Sequence, residues 1–302
     1  MRIGIAGTGA IGGYIGGLLC KAGNEVVFLA RGNNLKTLRE KGLTIDSEVE
    51  KFTINETFTD QYKAFSDVDL LLFCVKSTAT NEVAKKLKPI LKEECFILTL
   101  QNGVDNEEIL SAEFGENRIL SAATYIQAGV KEPGVVTQIG ASPRLIIGAL
   151  DYSLKEKVNE FSSLFNSASI VTNTSSKILE MKWKKLIWNV TFNPLTALIE
   201  SPIGAIYDDK GLNQIATNIC REGIAVARKL GFTIEDKYFE QIMAQGHMAR
   251  NHHTSMLQDR LGGKRMELES ICGYIVKKGK QVKVDTPVLE TIYHILSFYE
   301  KS

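Results

Sequence analysis

The sequence predicts an α/β protein of two domains, a doubly wound parallel sheet followed by an all-helical domain. At 302 residues the chain is longer than one hydrophobic core usually organises, because single cores stop growing near ~250–300 residues. Its first half alternates short β-rich apolar runs with stretches long enough for helical crossovers, which is the grammar of a parallel sheet covered on both faces. Beyond Ser176 that grammar ends and helical periodicity takes over. The polar run Asn173-Thr174-Ser175-Ser176 marks the change, so the domains are expected at 1–173 and 174–302.

The elements follow in order. Residues 3–6, 25–30, 69–75 and 96–100 read as strands, being short, apolar and rich in β-branched or aromatic side chains. Val135-Val136-Thr137-Gln138-Ile139-Gly140, a turn holding Pro143, and Arg144-Leu145-Ile146-Ile147-Gly148 read as a hairpin that closes the first domain. A helix at 153–166 and a strand at 169–172 precede the boundary. In the second half Ile215, Ile219, Val226 and Leu230 mark a helix stopped by Gly231.

Composition narrows the function classes. Apolar residues at 44% and charged residues at 24% are ordinary globular usage, which excludes disorder, collagen and a disulfide scaffold. Lysine plus arginine is 36 and aspartate plus glutamate 35, a net charge of 36 − 35 = +1. No whole-molecule field therefore draws the chain to nucleic acid or an anionic membrane. The five cysteines have no metal spacing and mostly sit among apolar neighbours, as expected of a reduced cytoplasmic protein, monomeric or homodimeric. The uncharged stretch 3–20 resembles a signal-peptide core only superficially, since its seven glycines are poor helix formers. No run approaches the roughly 18 apolar residues that span a bilayer.

Gly7-Thr8-Gly9-Ala10-Ile11-Gly12 follows the first strand and opens a helix, which is the context of a Rossmann dinucleotide fingerprint. Glycines there allow a tight turn and close approach to a pyrophosphate, and the helix N-terminus favours the anion. The second strand ends in Arg31, where NAD-binding versions usually carry an acidic residue, and a cation suits the extra phosphate of NADP. Lys76 and Asn102 end the third and fourth strands, so polar groups at four strand ends converge on one crevice.

In the second half Lys185, Asn189 and Asn193 are spaced i, i+4, i+8 on an otherwise apolar helix. At ~100° per residue they drift only about 80° around the axis and share one face. That line must meet a cavity, a ligand or water, unless Lys182, Lys184 and Lys185 form a surface run and backbone satisfies both asparagines. Pro194 should kink or end the helix near Asn193. Ser255 with Gln258 fits a capping box, and its hydroxyl also suits a substrate carboxylate. Glu267 alone reads as an exposed helix residue, Trp183 and Trp188 as core. His247, His252 and His253 lack the partners of a zinc site.

Taken together, the glycine motif, Arg31, Lys76, Asn102-Gly103, Lys185-Leu-Ile-Trp-Asn189-Val-Thr-Phe-Asn193-Pro194-Leu-Thr-Ala, and Ser255-Met-Leu-Gln-Asp259 followed by Glu267 resemble the ketopantoate reductase family in order and spacing. The resemblance implies NADPH-dependent reduction of a 2-keto acid, 2-dehydropantoate, to the 2-hydroxy acid in pantothenate synthesis. It makes Lys185 the catalytic lysine, Asn189, Asn193 and Ser255 substrate-binding residues, and Glu267 the carboxylate that positions the substrate hydroxyl or the lysine. Arg31 resembles the adenosine-phosphate contact, and Lys76 and Asn102 cofactor-side residues. Ala79 departs from the pattern, standing where many members carry glutamine or an acidic residue. Two alternatives remain: a reductase of another small 2-keto acid, and a non-catalytic NADP-binding sensor.

Overall fold

A computed structural model describes residues 1–140 and 142–301. The chain divides into two compact units. The first comprises Met1–Asn102 and Asn106–Leu179, the second Gly103–Asp105 and the chain from Glu180 onward.

Among the described residues twelve strands lie in the first unit. They are β1 (Arg2–Ala6), β2 (Glu25–Leu29), β3 (Leu43–Ser47), β4 (Lys51–Ile54), β5 (Thr57–Thr59) and β6 (Leu70–Phe73), then β7 (Phe96–Thr99), β8 (Ile119–Tyr125), β9 (Ala128–Glu132), β10 (Val135–Gln138), β11 (Arg144–Ala149) and β12 (Val171–Thr174). Eight form the main sheet, in the order β12-β11-β8-β7-β6-β1-β2-β5, parallel throughout except between β11 and β8. From β1 the chain winds one way to β2 and β5 and then the other way to β6, β7 and β8. The reversal lies beside β1. Ala6 is level with Leu29 and Phe73, and Phe73 with Thr99, so four strands deliver their carboxyl ends to one edge.

The expected hairpin does not exist. Both of its strands form, but β10 pairs with β3 and β9 in a separate sheet of order β4-β3-β10-β9, whereas β11 lies antiparallel to β8 in the main sheet. Burial does not separate them, since β10 buries Val136 and Gln138 and β11 half of its residues. What differs is the partner each strand finds far away in sequence, β3 for β10 and β8 for β11. Ala141, in the supposed turn, lies outside the described residues.

Helix α1 (Ala10–Lys21) packs against strands of both sheets, and its glycines explain how. A Cβ on Gly12 or Gly16 would strike Ile5 or Phe28 on the main-sheet side, and one on Gly13 or Gly17 would come within 3.0 Å of Val136 or 2.7 Å of Ile45 on the other. Two glycine pairs, each spaced i, i+4, let the backbone approach both layers. Helices α2 (Gly32–Lys41), α3 (Thr80–Leu87), α4 (Asp105–Phe114) and α5 (Lys155–Ser167) complete the crossovers and edge.

The second unit is helical. Its elements are α6 (Ile178–Ile199), α7 (Gly204–Asp208), α8 (Lys210–Lys229), α9 (Tyr238–Met248) and α10 (Ser255–Leu261), then a π-helical turn at Glu269–Gly273, α11 (Tyr274–Val282) and α12 (Pro287–Tyr299). Helix α6 is the axis of its core, burying Trp183, Leu186, Ile187, Val190, Phe192 and Leu195. Pro194 does not end it. The helix runs on to Ile199, because Leu195, Thr196 and Ala197 are all buried and their packing outweighs the bond that Pro194 cannot give to the Val190 carbonyl. Among the described residues no helix is long and apolar enough to cross a membrane.

Candidate active site

In the first unit, the edge made by the four strand ends carries Gly7 to Gly12, Arg31, Lys76 and Asn102 together. Gly7 has φ +109, and a Cβ there would lie 2.8 Å from the Val75 amide nitrogen at the end of β6. At Gly12 a Cβ would collide with the Gly7 carbonyl. Gly9 is different. It precedes α1, and a Cβ on it would meet nothing within 4 Å. Open space thus lies over a helix N-terminus with no side-chain cap and no acidic residue in its first turn, which suits a phosphate. Thr8, Ala10 and Ile11 complete the turn. Thr8 Oγ1 donates to the Leu29 carbonyl at 2.9 Å, tying the ends of β1 and β2.

Arg31 precedes α2 and is exposed, as is Lys76, which precedes a short 3-10 turn. Two groups around them escape sequence reasoning. The Asn34 side chain donates to the Thr8 carbonyl (3.1 Å) and accepts from the Gly134 amide (3.0 Å), fastening the glycine turn. Buried Gln101 donates to the Val75 carbonyl and to Thr80 Oγ1, both at 2.8 Å, and Thr80 donates to Asn106 Oδ1, whose amide nitrogen donates to the Asn102 carbonyl (2.9 Å). The network fixes the loops after β6 and β7. Polar side chains near strand ends were the only signal for it.

In the second unit, the face of α6 resolves the lysine run. Lys184 is at the surface edge with Glu235 (3.0 Å) and Glu180 (3.5 Å), Lys182 is only 3% exposed, and Lys185 is half-buried. Burial, and then the Lys182 ammonium one turn away, pull the Lys185 pKa down to about 7, with Glu267 pulling the other way. Glu267 is not the exposed helix residue its local sequence suggests. It is 9% exposed and lies in the irregular segment before the π-helical turn. The adjoining Met266 amide is held there by Glu300 Oε1 at 2.5 Å.

Asn189 and Asn193 are buried on the same helix, and Asn193 Oδ1 has no hydrogen-bond partner among the described residues. An orphaned buried acceptor is costly, so a donor from a ligand would be favoured there. The capping box at Ser255 is a correction. Thr254 caps α10 by accepting from the Leu257 backbone amide (3.2 Å), while the side-chain amide of Gln258 donates back to the His253 carbonyl (2.8 Å). Thr and Ser are equally good cap residues and stand side by side here, and the buried Thr254 takes the position although only Ser255 has a glutamine three residues on. Ser255 is exposed, its hydroxyl released from capping.

His247 stands edge-on to Tyr207 and His252 to Trp188, and His253 is exposed. Trp183 is core, as expected, whereas Trp188 is half-buried. Among the described residues no three or more His, Cys, Asp or Glu gather as a metal site. All five cysteines are free.

Residues 3–152 match the family profile described as ketopantoate reductase PanE/ApbA, and residues 177–300 its C-terminal counterpart. The 2-dehydropantoate 2-reductase of Pyrococcus horikoshii is 34% identical over 95% of this chain and 94% of its own length. The PanE/ApbA family ketopantoate reductase of Ralstonia eutropha JMP134 superposes with a TM-score of 0.93 at 28% identity, covering 100% of this chain and 99% of its own. A D-mandelate dehydrogenase solved with NADH and anilino(oxo)acetate has a TM-score of 0.92 over 100% of this chain and 99% of its own, but at 21% identity it shares the fold alone.

Proposed function

The chain belongs to the ketopantoate reductase family, and on that premise we propose that it reduces 2-dehydropantoate to pantoate with NADPH, as a step of pantothenate and coenzyme A synthesis in the cytoplasm. The observation that carries this reading is Lys185. A half-buried ammonium titrating at about 7, with a carboxylate on one side and a buried orphan acceptor on the same helix, is suited to give a proton to a ketone.

The residues divide the work. Backbone amides at the start of α1 would take the pyrophosphate over Gly9, Arg31 the adenosine phosphate, and Lys76 and Asn102 would flank the cofactor. When bound, NADPH supplies the hydride that adds to the ketone carbon. Lys185 offsets the negative charge developing on the ketone oxygen and transfers its proton to that oxygen, then regains one from solvent as the neutral amine. Glu267 holds Lys185 toward its charged form, and the keto acid's own carboxylate acts in the same direction. Asn189, Asn193 and the free hydroxyl of Ser255 bind the substrate. Arg31 is what supports the phosphorylated cofactor over NADH.

The test is a 2-dehydropantoate-dependent fall in NADPH absorbance with purified protein. Oxidation only with a different 2-keto acid would move the substrate and keep the chemistry. Tight NADPH binding with no oxidation by any 2-keto acid would favour a sensor instead.

A further inference from the structure

Two buried hydroxyls join α6 to the helix that begins with Ser255. Thr196 and Thr254 both have 0% exposure, and their Oγ1 atoms are 2.7 Å apart. Thr196 Oγ1 also lies 3.0 Å from the Asn193 carbonyl, and Thr254 Oγ1 3.2 Å from the Leu257 amide. Each hydroxyl has one proton. The carbonyl can only accept, so Thr196 donates to it, which obliges Thr254 to donate to Thr196 while accepting from Leu257. The resulting chain, Leu257 N–H to Thr254 to Thr196 to the Asn193 carbonyl, runs in one direction, and interrupting it leaves a buried polar group unpaired.

Its two ends matter. Asn193 anchors the chain by its backbone and presents the orphaned Oδ1 from its side chain, and Ser255 follows the cap residue directly. Helix α10 has only seven residues, too few to hold a position by its own cooperativity. We propose that Thr196 is a positioning residue: through Thr254 it sets the Ser255 hydroxyl in register with Asn193, and so fixes where the keto acid's carboxylate binds. The inference rests on the reductase reading above. It separates the residues that touch substrate from the hydroxyl relay that spaces them.

Steady-state kinetics with 2-dehydropantoate and NADPH on wild type, Thr196→Val and Thr196→Ser test it. Valine keeps the shape and removes the relay. It should raise KM for the keto acid about tenfold, the scale of a lost buried hydrogen bond, with kcat and the NADPH KM within about twofold. Serine, which restores the hydroxyl, should bring the KM back. With the neutral amide of the same keto acid, the valine effect should vanish. An unchanged keto-acid KM in Thr196→Val, or an equal rise for acid and amide, would overturn the proposal. Thr196→Ala puts the same question if the valine variant does not fold. A wild-type protein that reduces no 2-keto acid defeats the reductase reading and this inference together, whereas an active wild type with an indifferent Thr196→Val defeats the inference alone.

Discussion

At Lys185, burial and the Lys182 ammonium favour the neutral amine while Glu267 favours the cation, and the balance leaves the group near 7. A general acid must carry its proton when the ketone arrives, so kcat/KM for reduction should fall as pH rises through about 7. Lys182→Met should move that limb to higher pH and Glu267→Gln to lower pH; a limb indifferent to both would remove the electrostatic account. Lys185→Ala should cut turnover by orders of magnitude with NADPH affinity nearly unchanged, and undiminished turnover would take the residue out of the mechanism. The same shift has a stability sign. The folded state binds this proton less tightly than the unfolded chain, whose lysine titrates near 10.5, so the destabilisation is full below about pH 7 and fades as pH rises toward 10.5. Lys185→Met should therefore raise Tm at pH 6 by more than at pH 10, and an equal change at both would contradict the burial argument. At the other end of the proposed site, Arg31→Asp should erode the preference for NADPH over NADH. Intact preference, measured as the ratio of kcat/KM values, would show that the phosphate is read elsewhere.

Helix α1 separates two uses of glycine that look alike in the sequence. Gly9 has open space where a Cβ would go and an ordinary φ of −91, while a Cβ on Gly16 would press into the Phe28 ring. Gly9→Ala should leave Tm almost unchanged yet weaken NADPH at least tenfold. Gly16→Ala should cost about 1–3 kcal/mol, lowering Tm by roughly 2–10 °C. Calorimetry with NADPH titration distinguishes them, and a Gly9→Ala protein that binds NADPH normally would mean that the phosphate does not lie over α1. The same helix shows what a sequence conceals. The main strands and the glycine turn were legible because their period, their flanking turns and their order are local. The second sheet was not: β10 was readable as a strand, but β4 and β9 bury none of their residues, and β10 finds its parallel partner about ninety residues earlier in the chain. A further trace was the second glycine pair, Gly13 and Gly17, which a single-sheet helix does not need. In the second unit the i, i+4, i+8 line on α6 was readable for the same reason of local period. The burial of Lys182 and Glu267 and the Thr196 to Thr254 bond were not, because each depends on segments distant in sequence.

For the molecule as a whole, the balanced charge conceals a division of labour between units. Arg31 and Lys76, suited to an anionic cofactor, belong to the first, and Lys185, suited to an anionic keto acid, to the second. The buried apolar clusters divide the same way. Two lie wholly within the first unit, on either side of its main sheet, and the third is built from Val104 and residues of the helical unit. Among the described residues each cluster falls within one unit, so each unit has a core of its own that can melt as a cooperative block. Differential scanning calorimetry of the ligand-free protein should resolve two transitions. A ligand that binds one folded unit stabilises it by mass action, by about 2.7 kcal/mol at a hundredfold excess over Kd. NADPH should therefore raise the transition of the first unit, and limited proteolysis during the scan, read by where the chain is cut, would assign each transition to its unit. A single transition that moves as a whole with NADPH would refute the division and mean that the two cores unfold as one.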